Sequence, residues 1–309
     1  MKAIQIQTYG SADGMMLEDL PMVACEANGL LVRVVAAGVN PVDWKIRSGA
    51  MAQQLPKEFP ITLGQDAAGI VVDVGSASSG FKLGDEVFFY ADFMHGGTYA
   101  EYVAVDAAQV ALKPRTVPFA AAAALPTAGQ AAWTALFDTA QIERGMHLLV
   151  HGGAGAVGSI AIQLARHRGV HVTATASGGG VDLVKSLGAD DVIDYRQKRF
   201  HDIVKDADVV LDTLGGATQD ASWAVLKKGG ILVSTVMPPS PERAAAAGVR
   251  GAFVFTPPRG AVLAQMAALV DEGHLRLLVG QEFALADAAE AHRLGESGTS
   301  RGKMILRVS

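Results

Sequence analysis

The stretch HLLVHGGAGAVGSIAIQLARHR, residues 147 to 168, sets the tightest limit on how this chain can fold. A short apolar run suited to a buried strand meets a cluster of glycines. Helical periodicity follows, predicted to begin at Ser159 and to stop before Gly169. Gly153, Gly155 and Gly158 spell GxGxxG in the strand-to-helix setting that makes the pattern informative. Gly155 lets the backbone approach a pyrophosphate, and Gly158 lets the helix lie close on the strand. The amides of Ala156 and Val157, at the positive end of the helix, attract negative charge. The loop Gly153, Ala154, Gly155, Ala156, Val157 is therefore the predicted cradle of a dinucleotide cofactor.

The surroundings agree with that loop. Apolar strands at residues 170–176, 191–195, 208–213 and 230–235 alternate with helical segments, which is how a parallel sheet with crossover helices reads. Up to Phe119 the chain is instead a series of short β-like runs, among them MKAIQIQ, LLVRVVAAGV, GIVVDVG and DEVFFY, separated by turn signals. The final run GKMILRV has the texture of the first, so the C-terminal segment is expected to rejoin the N-terminal domain. The expected fold class is α/β: a Rossmann domain, residues 120–251, inserted into a β-rich domain made of residues 1–119 and 252–309. The Ala-rich FAAAAALPTAGQAAWTALF is expected to be close-packed helix.

Composition narrows the partners. Among 309 residues, 31 acidic against 26 basic side chains give a net charge of -5 with no basic block, which argues against nucleic acid. The lone Cys25 excludes an intramolecular disulfide, and no run approaches the roughly 20 apolar residues of a membrane span. A cytoplasmic protein with no membrane partner is expected. The histidines, His95 in MHGG and His151 before the glycine loop included, show no ligand spacing for a metal.

The second strand decides which dinucleotide is preferred. It ends at Ser177 and three glycines, with no Asp or Glu to hold ribose hydroxyls, and Ser177 can donate to a 2′-phosphate. NADPH is preferred over NADH, although no Arg or Lys stands in that glycine run.

Over nearly its whole length the sequence resembles the zinc-independent medium-chain dehydrogenase/reductase superfamily, in particular the quinone oxidoreductase (zeta-crystallin-like) group. The matching stretches include AAGVNPVDWKIRSG, LGQDAAGIV, GGTYAEYVAV, ALPTAGQAAWTALF, HGGAGAVGSIAIQLAR, LGADDVIDYR and GKMILRV. The resemblance implies a GroES-like β-rich domain. Zinc alcohol dehydrogenases of that superfamily hold their metal with a Cys in a GxCxxD-like turn and the His of LGHE. Here Asn40 stands in GVNPVD and Gln65 with Asp66 in LGQD, and neutral amides are poor zinc ligands. No zinc is therefore expected.

The resemblance further implies that Asn40 orients the nicotinamide or a substrate carbonyl, and that Thr127 lies near the nicotinamide. It puts Ser177 and Tyr195 near the 2′-phosphate, Thr235, Val236, Phe255 and Thr256 beside the nicotinamide, and Lys303 at the cofactor phosphates. Met51 stands where some quinone reductases carry a Tyr. Without a Lewis acid, an acceptor that is already electron-poor is the natural hydride sink. The expected function is NADPH-dependent reduction of quinones or enones by a homodimer; the alternatives are an enoyl-thioester reductase and a non-catalytic NADPH-binding protein. No general acid stands out beyond Tyr90 and Asp92, and solvent is the other proton source.

Overall fold

A computed structural model describes residues 1–56, 58–92, 97–300 and 302–308. The chain forms two units: Met1–Thr127, Pro257–Asp271 and Leu277–Ser309 make the first, and Ala128–Thr256 with Glu272–Arg276 the second. The first division falls at Thr127 and not at 119, because the helix Phe119–Ala123 buries Ala121, Ala122 and Ala123 in the first unit. A Cβ on Gly38 would lie 2.4 Å from the Ala123 carbonyl, so that approach requires glycine. Pro126 opens a separate helix, Pro126–Trp133, which runs into a π-helical turn over Thr134–Thr139, so the Ala-rich stretch is two helices.

In chain order the first unit begins with strands β1 (Lys2–Ile6), β2 (Met16–Asp19), β3 (Gly29–Gly38), β4 (Ile61–Thr62), β5 (Asp66–Val74), β6 (Glu86–Tyr90), β7 (Tyr102–Asp106) and β8 (Val110–Leu112). The second unit supplies β9 (His147–Val150), β10 (His171–Ala176), β11 (Asp191–Asp194), β12 (Ala207–Asp212), β13 (Leu226–Ser234) and β14 (Arg250–Phe253). The chain then returns to the first unit with β15 (Val279–Ala284) and β16 (Lys303–Arg307).

The first unit holds a three-stranded sheet, β2-β1-β4, and a seven-stranded sheet, β15-β16-β3-β5-β6-β8, with β7 paired to β3. Leu30, Val32 and Val34 of β3 are buried at the two-residue period of a strand, against a core that includes Val87, Phe89, Tyr99 and Leu306. The last strand does rejoin the N-terminal domain, beside β3 and β15. Its antiparallel register sets Ile305 opposite Gly38, while β5 sets Asp66 opposite Gly38 on the other side. Asn40, two residues beyond Gly38, thus comes level with Lys303, two residues before Ile305.

The second unit is a six-stranded parallel sheet in the order β11-β10-β9-β12-β13-β14. Its order runs outward from β9 and β12 in opposite directions, so their carboxyl ends form the switch point at which ligands gather in this architecture. β13 is an inner strand of this sheet. β14 pairs beyond it through Ser234 opposite Phe253, which keeps the chain in this unit as far as Thr256.

Candidate active site

Three distant segments of the first unit converge on the carboxylate of Asp66, which is fully buried, and a fourth reaches its backbone carbonyl. Asn40 Nδ2 donates to Asp66 Oδ2 at 2.9 Å, and Lys303 Nζ donates to the same oxygen at 3.0 Å. Lys303 Nζ also donates to Asn40 Oδ1. Thr127 gives its backbone N–H to Asp66 Oδ1 at 2.8 Å and its hydroxyl to the same atom. Thr98 Oγ1 donates to the Asp66 carbonyl at 3.0 Å. A buried carboxylate is tolerated only when paired and hydrogen-bonded, and here an ammonium and neutral donors do both. The network also fixes the Asn40 amide, with its oxygen on the cation and its nitrogen on the anion.

The structure thus joins Asn40, Thr127 and Lys303. Lys303, expected at the cofactor phosphates, is buried with its ammonium engaged by Asn40 and Asp66. Gln65 is buried too, and its Oε1 has no partner.

A second layer stands behind this cluster. Asp43 Oδ2 accepts the Asn40 N–H at 2.7 Å, closing the start of the helix Pro41–Ser48, and the Tyr99 hydroxyl at 2.9 Å. The Tyr99 hydroxyl lies 3.3 Å from His292 Nε2. Burial pushes the Asp43 carboxyl up to about 7, against the pull of the Asn40 N–H, the Tyr99 hydroxyl and the Lys303 charge. Burial, helped by Arg47, pushes His292 down to about 3, so its imidazole is neutral at ordinary pH. Burial also raises Tyr90 and Tyr99. Asp43 did not stand out in the sequence, although its place three residues after an Asn at a helix start is a signal that could have found it; Tyr99 and His292 carry no local signal.

In the second unit the glycine loop leads into the helix Ala156–Arg168, three residues ahead of the expected start. Gly155 caps this helix with no side chain, leaving the first amides without an intrahelical acceptor. A Cβ on Gly158 would sit 2.4 Å from the Gly152 carbonyl, the close helix–strand approach expected there. The turn itself is made by Gly152, at φ +66°, which the GxGxxG pattern omits. Bare amides, a helix dipole and room along Gly155 together fit a pyrophosphate. His151 is a core residue: Nε2 is 3.0 Å from Ser222 Oγ, and burial lowers it to about 4.

At the end of β10, Ser177 Oγ donates to the Tyr195 hydroxyl at 2.8 Å, and both groups are accessible. Thr235 and Val236 follow β13 and are half-buried; Thr235 N donates to the Asp212 carbonyl at 3.0 Å. Phe255, exposed, and Thr256, half-buried, follow β14. All lie beyond the carboxyl ends of parallel strands. A buried Asp212 that had not stood out in the sequence braces this edge, taking the N–H groups of Leu214 and Gly215 on Oδ1 and Gln219 and Ser234 on Oδ2. Asp92 N donates to Gln109 Oε1 at 3.2 Å. His95 lies outside the described residues.

Comparison with known proteins gives this geometry a family. An alcohol dehydrogenase GroES-like domain matches residues 26–115, and a zinc-binding dehydrogenase domain matches residues 187–306. The 2-methylene-furan-3-one reductase of Solanum lycopersicum is 37% identical over 99% of this chain and 79% of its own length. The chloroplastic NADPH-dependent alkenal/one oxidoreductase of Arabidopsis thaliana is 36% identical over the same shares, 99% and 79%. The quinone oxidoreductase of Coxiella burnetii superposes over 100% of this chain and 99% of its own, with a TM-score of 0.92 and 34% identity. The chain belongs to the medium-chain dehydrogenase/reductase superfamily, in its quinone oxidoreductase group. It is an oxidoreductase with a GroES-like sheet and a Rossmann sheet.

One matching domain of this medium-chain reductase is named for zinc, so the donors must be tested against that metal. Asn40 and Gln65 are neutral amides, and Asp66 already carries the Lys303 ammonium. Among the described residues no group of three or more His, Cys, Asp and Glu is placed to hold a metal. This donor set does not fit zinc, which favours thiolate and imidazole.

Proposed function

We propose that this medium-chain reductase transfers hydride from NADPH to quinones or electron-poor enones, without zinc. The observation that carries the reading is the buried Asn40–Asp66–Lys303 cluster, in which an ammonium stands among the residues where zinc relatives offer metal ligands. The relatives named for alkenal/one, furanone and quinone chemistry support the acceptor class. NADPH supplies the hydride when bound. The loop Gly153, Ala154, Gly155, Ala156 and Val157 binds the pyrophosphate, and Ser177 with Tyr195 hydrogen-bonds the 2′-phosphate. Thr127, Thr235, Val236, Phe255 and Thr256 border the nicotinamide.

Asn40 is the residue that orients the acceptor carbonyl. One of its two amide hydrogens is held by Asp66, and the other is left to donate. Lys303 on Oδ1 polarises the amide and strengthens that second donor. Lys303 therefore acts through Asn40 and not on the phosphates. An acceptor whose own electronics favour hydride addition needs no more than such a hydrogen bond.

Purified protein is mixed with NADPH and a panel of quinones, enones and an enoyl thioester while cofactor absorbance is followed. Turnover of quinones or enones is expected. No turnover on any of them would sink the proposal, and a thioester far faster than the rest would replace it with an enoyl-thioester reductase. A homodimer joined at the edge of the Rossmann sheet is part of the reading, supported by Phe253 and Phe255 exposed at and just beyond β14. Light scattering that shows a monomer would overturn it. A cytoplasmic place is likewise proposed, supported by the single unpaired cysteine; cell fractionation tests it.

A further inference from the structure

A cavity of about 410 Å³ lies in the second unit, lined by Gln163, Arg166, His167, Ser186, His274 and Arg276, with Leu187 and Gly273 completing the wall. Three separate segments supply these side chains: the end of the helix Ala156–Arg168, the end of the helix Gly179–Ser186, and the return segment Glu272–Arg276. Among the described residues the lining carries two guanidinium groups and two imidazoles and no carboxylate, on a chain whose net charge is -5. Glu272, on the return segment, has its Oε2 3.9 Å from His274 Nε2.

The walls are positioned from behind. Buried Gln163 clamps the return segment, its Nε2 donating to the Arg276 carbonyl at 3.1 Å and its Oε1 accepting the Arg276 N–H at 2.8 Å. Arg276 Nη2 donates to Ser186 Oγ at 3.0 Å. Arg166 lies across Gly188, where a Cβ would fall 2.2 Å from its Cδ and 2.6 Å from its Nη1. The rings of His167 and His274 are 4.5 Å apart. Compensation of the helix dipole accounts for Arg166, His167 and Arg168 in the last turn. It does not account for Arg276 and His274, which reach the same cavity from another segment.

We propose that this cavity binds a small phosphate-bearing anion, held in fork geometry by Arg166 and Arg276 with the two imidazoles as further donors. Guanidinium groups match phosphate oxygens two at a time, and the volume is in the range of small-molecule sites. The site is separate from the glycine loop and does not depend on the reductase assignment.

The test is calorimetric titration of the full-length protein with pyrophosphate, with NADPH present in excess to fill the cofactor cradle. Binding to wild type is expected, weakened at least about tenfold in Arg166→Gln and in Arg276→Gln. Arg168→Gln, in the same helical turn but outside the cavity lining, is expected to bind as wild type. Thermal melting of each variant establishes that it is folded. No binding to wild type would overturn the proposal. Equal weakening by Arg168→Gln would also overturn it, since the effect would then be one of surface charge. If NADPH itself fails to bind, the cofactor reading falls, while the comparison of variants still locates the anion.

Discussion

The two candidate sites of this reductase handle charge in opposite ways. Around Asp66 two charges, the Asp66 carboxylate and the Lys303 ammonium, are buried and paired with each other, with Asn40 and Thr127 as neutral donors. At the Gly155 helix start no side chain caps the helix, and the first backbone amides have no intrahelical acceptor. The first site has its charges matched within the protein, and in the proposed reading it acts through the one donor left on Asn40. In the same reading the second is completed by the cofactor. Substitutions at the first should therefore be felt in folding, and those at the second chiefly in binding.

The largest expected effect is at the first site. Asp66→Ala leaves the Lys303 ammonium buried with no anion, and a loss of about 3–5 kcal/mol is expected in urea unfolding. Asp66→Leu combined with Lys303→Met, which removes both charges, is expected to recover most of that loss while still abolishing turnover. Equal stability of wild type and Asp66→Ala would break the contrast.

Next comes Gly158→Ala, whose new methyl meets the Gly152 carbonyl at 2.4 Å. A loss of about 1–3 kcal/mol is expected, exceeding the roughly 1 kcal/mol that Ala gains in helix propensity. Gly155→Ala meets only the same carbonyl at 3.2 Å. It is expected to leave stability within about 1 kcal/mol and to weaken NADPH at least about tenfold, because only the ligand's approach is blocked. Fluorescence titration with NADPH sharpens this pair.

Asp43 makes the first site sensitive to pH. Its folded value of about 7 lies above the ordinary Asp value of 3.8, so between those values the folded protein keeps a proton that the unfolded chain has released. This contribution to stability is complete below the lower value and is lost as pH rises toward 7. His292 and His151, lowered to about 3 and about 4, act in the opposite sense, losing stability as pH falls below 6.5. The readout is accordingly the difference between wild type and Asp43→Asn in melting temperature from pH 4 to 7; the variant lacks the falling component. The smallest effect is at Ser177→Ala. It should leave stability unchanged and weaken NADPH by about 1 kcal/mol, the worth of one hydrogen bond.

The same contrast governs what could be read in advance. The backbone-built site was legible because its parts are contiguous: β9, the glycines and the helix occupy one continuous stretch, and glycine spacing reports backbone geometry directly. Even there Gly152, which makes the left-handed turn, escaped, since the pattern names only close approaches. In the first site Asn40, Thr127 and Lys303 were named singly, by resemblance. Their convergence on Asp66 depends on β16 pairing with β3 in a register that no local pattern encodes. The resemblance accordingly implied a place for Lys303 at the cofactor phosphates, and nothing local pointed to Asp66. The expected edge of the second unit, at 251, falls inside β14 for a related reason: nothing local to this short run shows that it pairs with β13 and not with the β-rich sheet.

The central claim is that the cation beside the acceptor-orienting Asn40 is the Lys303 ammonium and not a metal. The most direct measurement is the steady-state rate of NADPH-dependent enone or quinone reduction before and after exhaustive dialysis against a strong zinc chelator. The account predicts the same rate before and after, with no gain on adding zinc. A rate that falls with chelation and returns with zinc would contradict it.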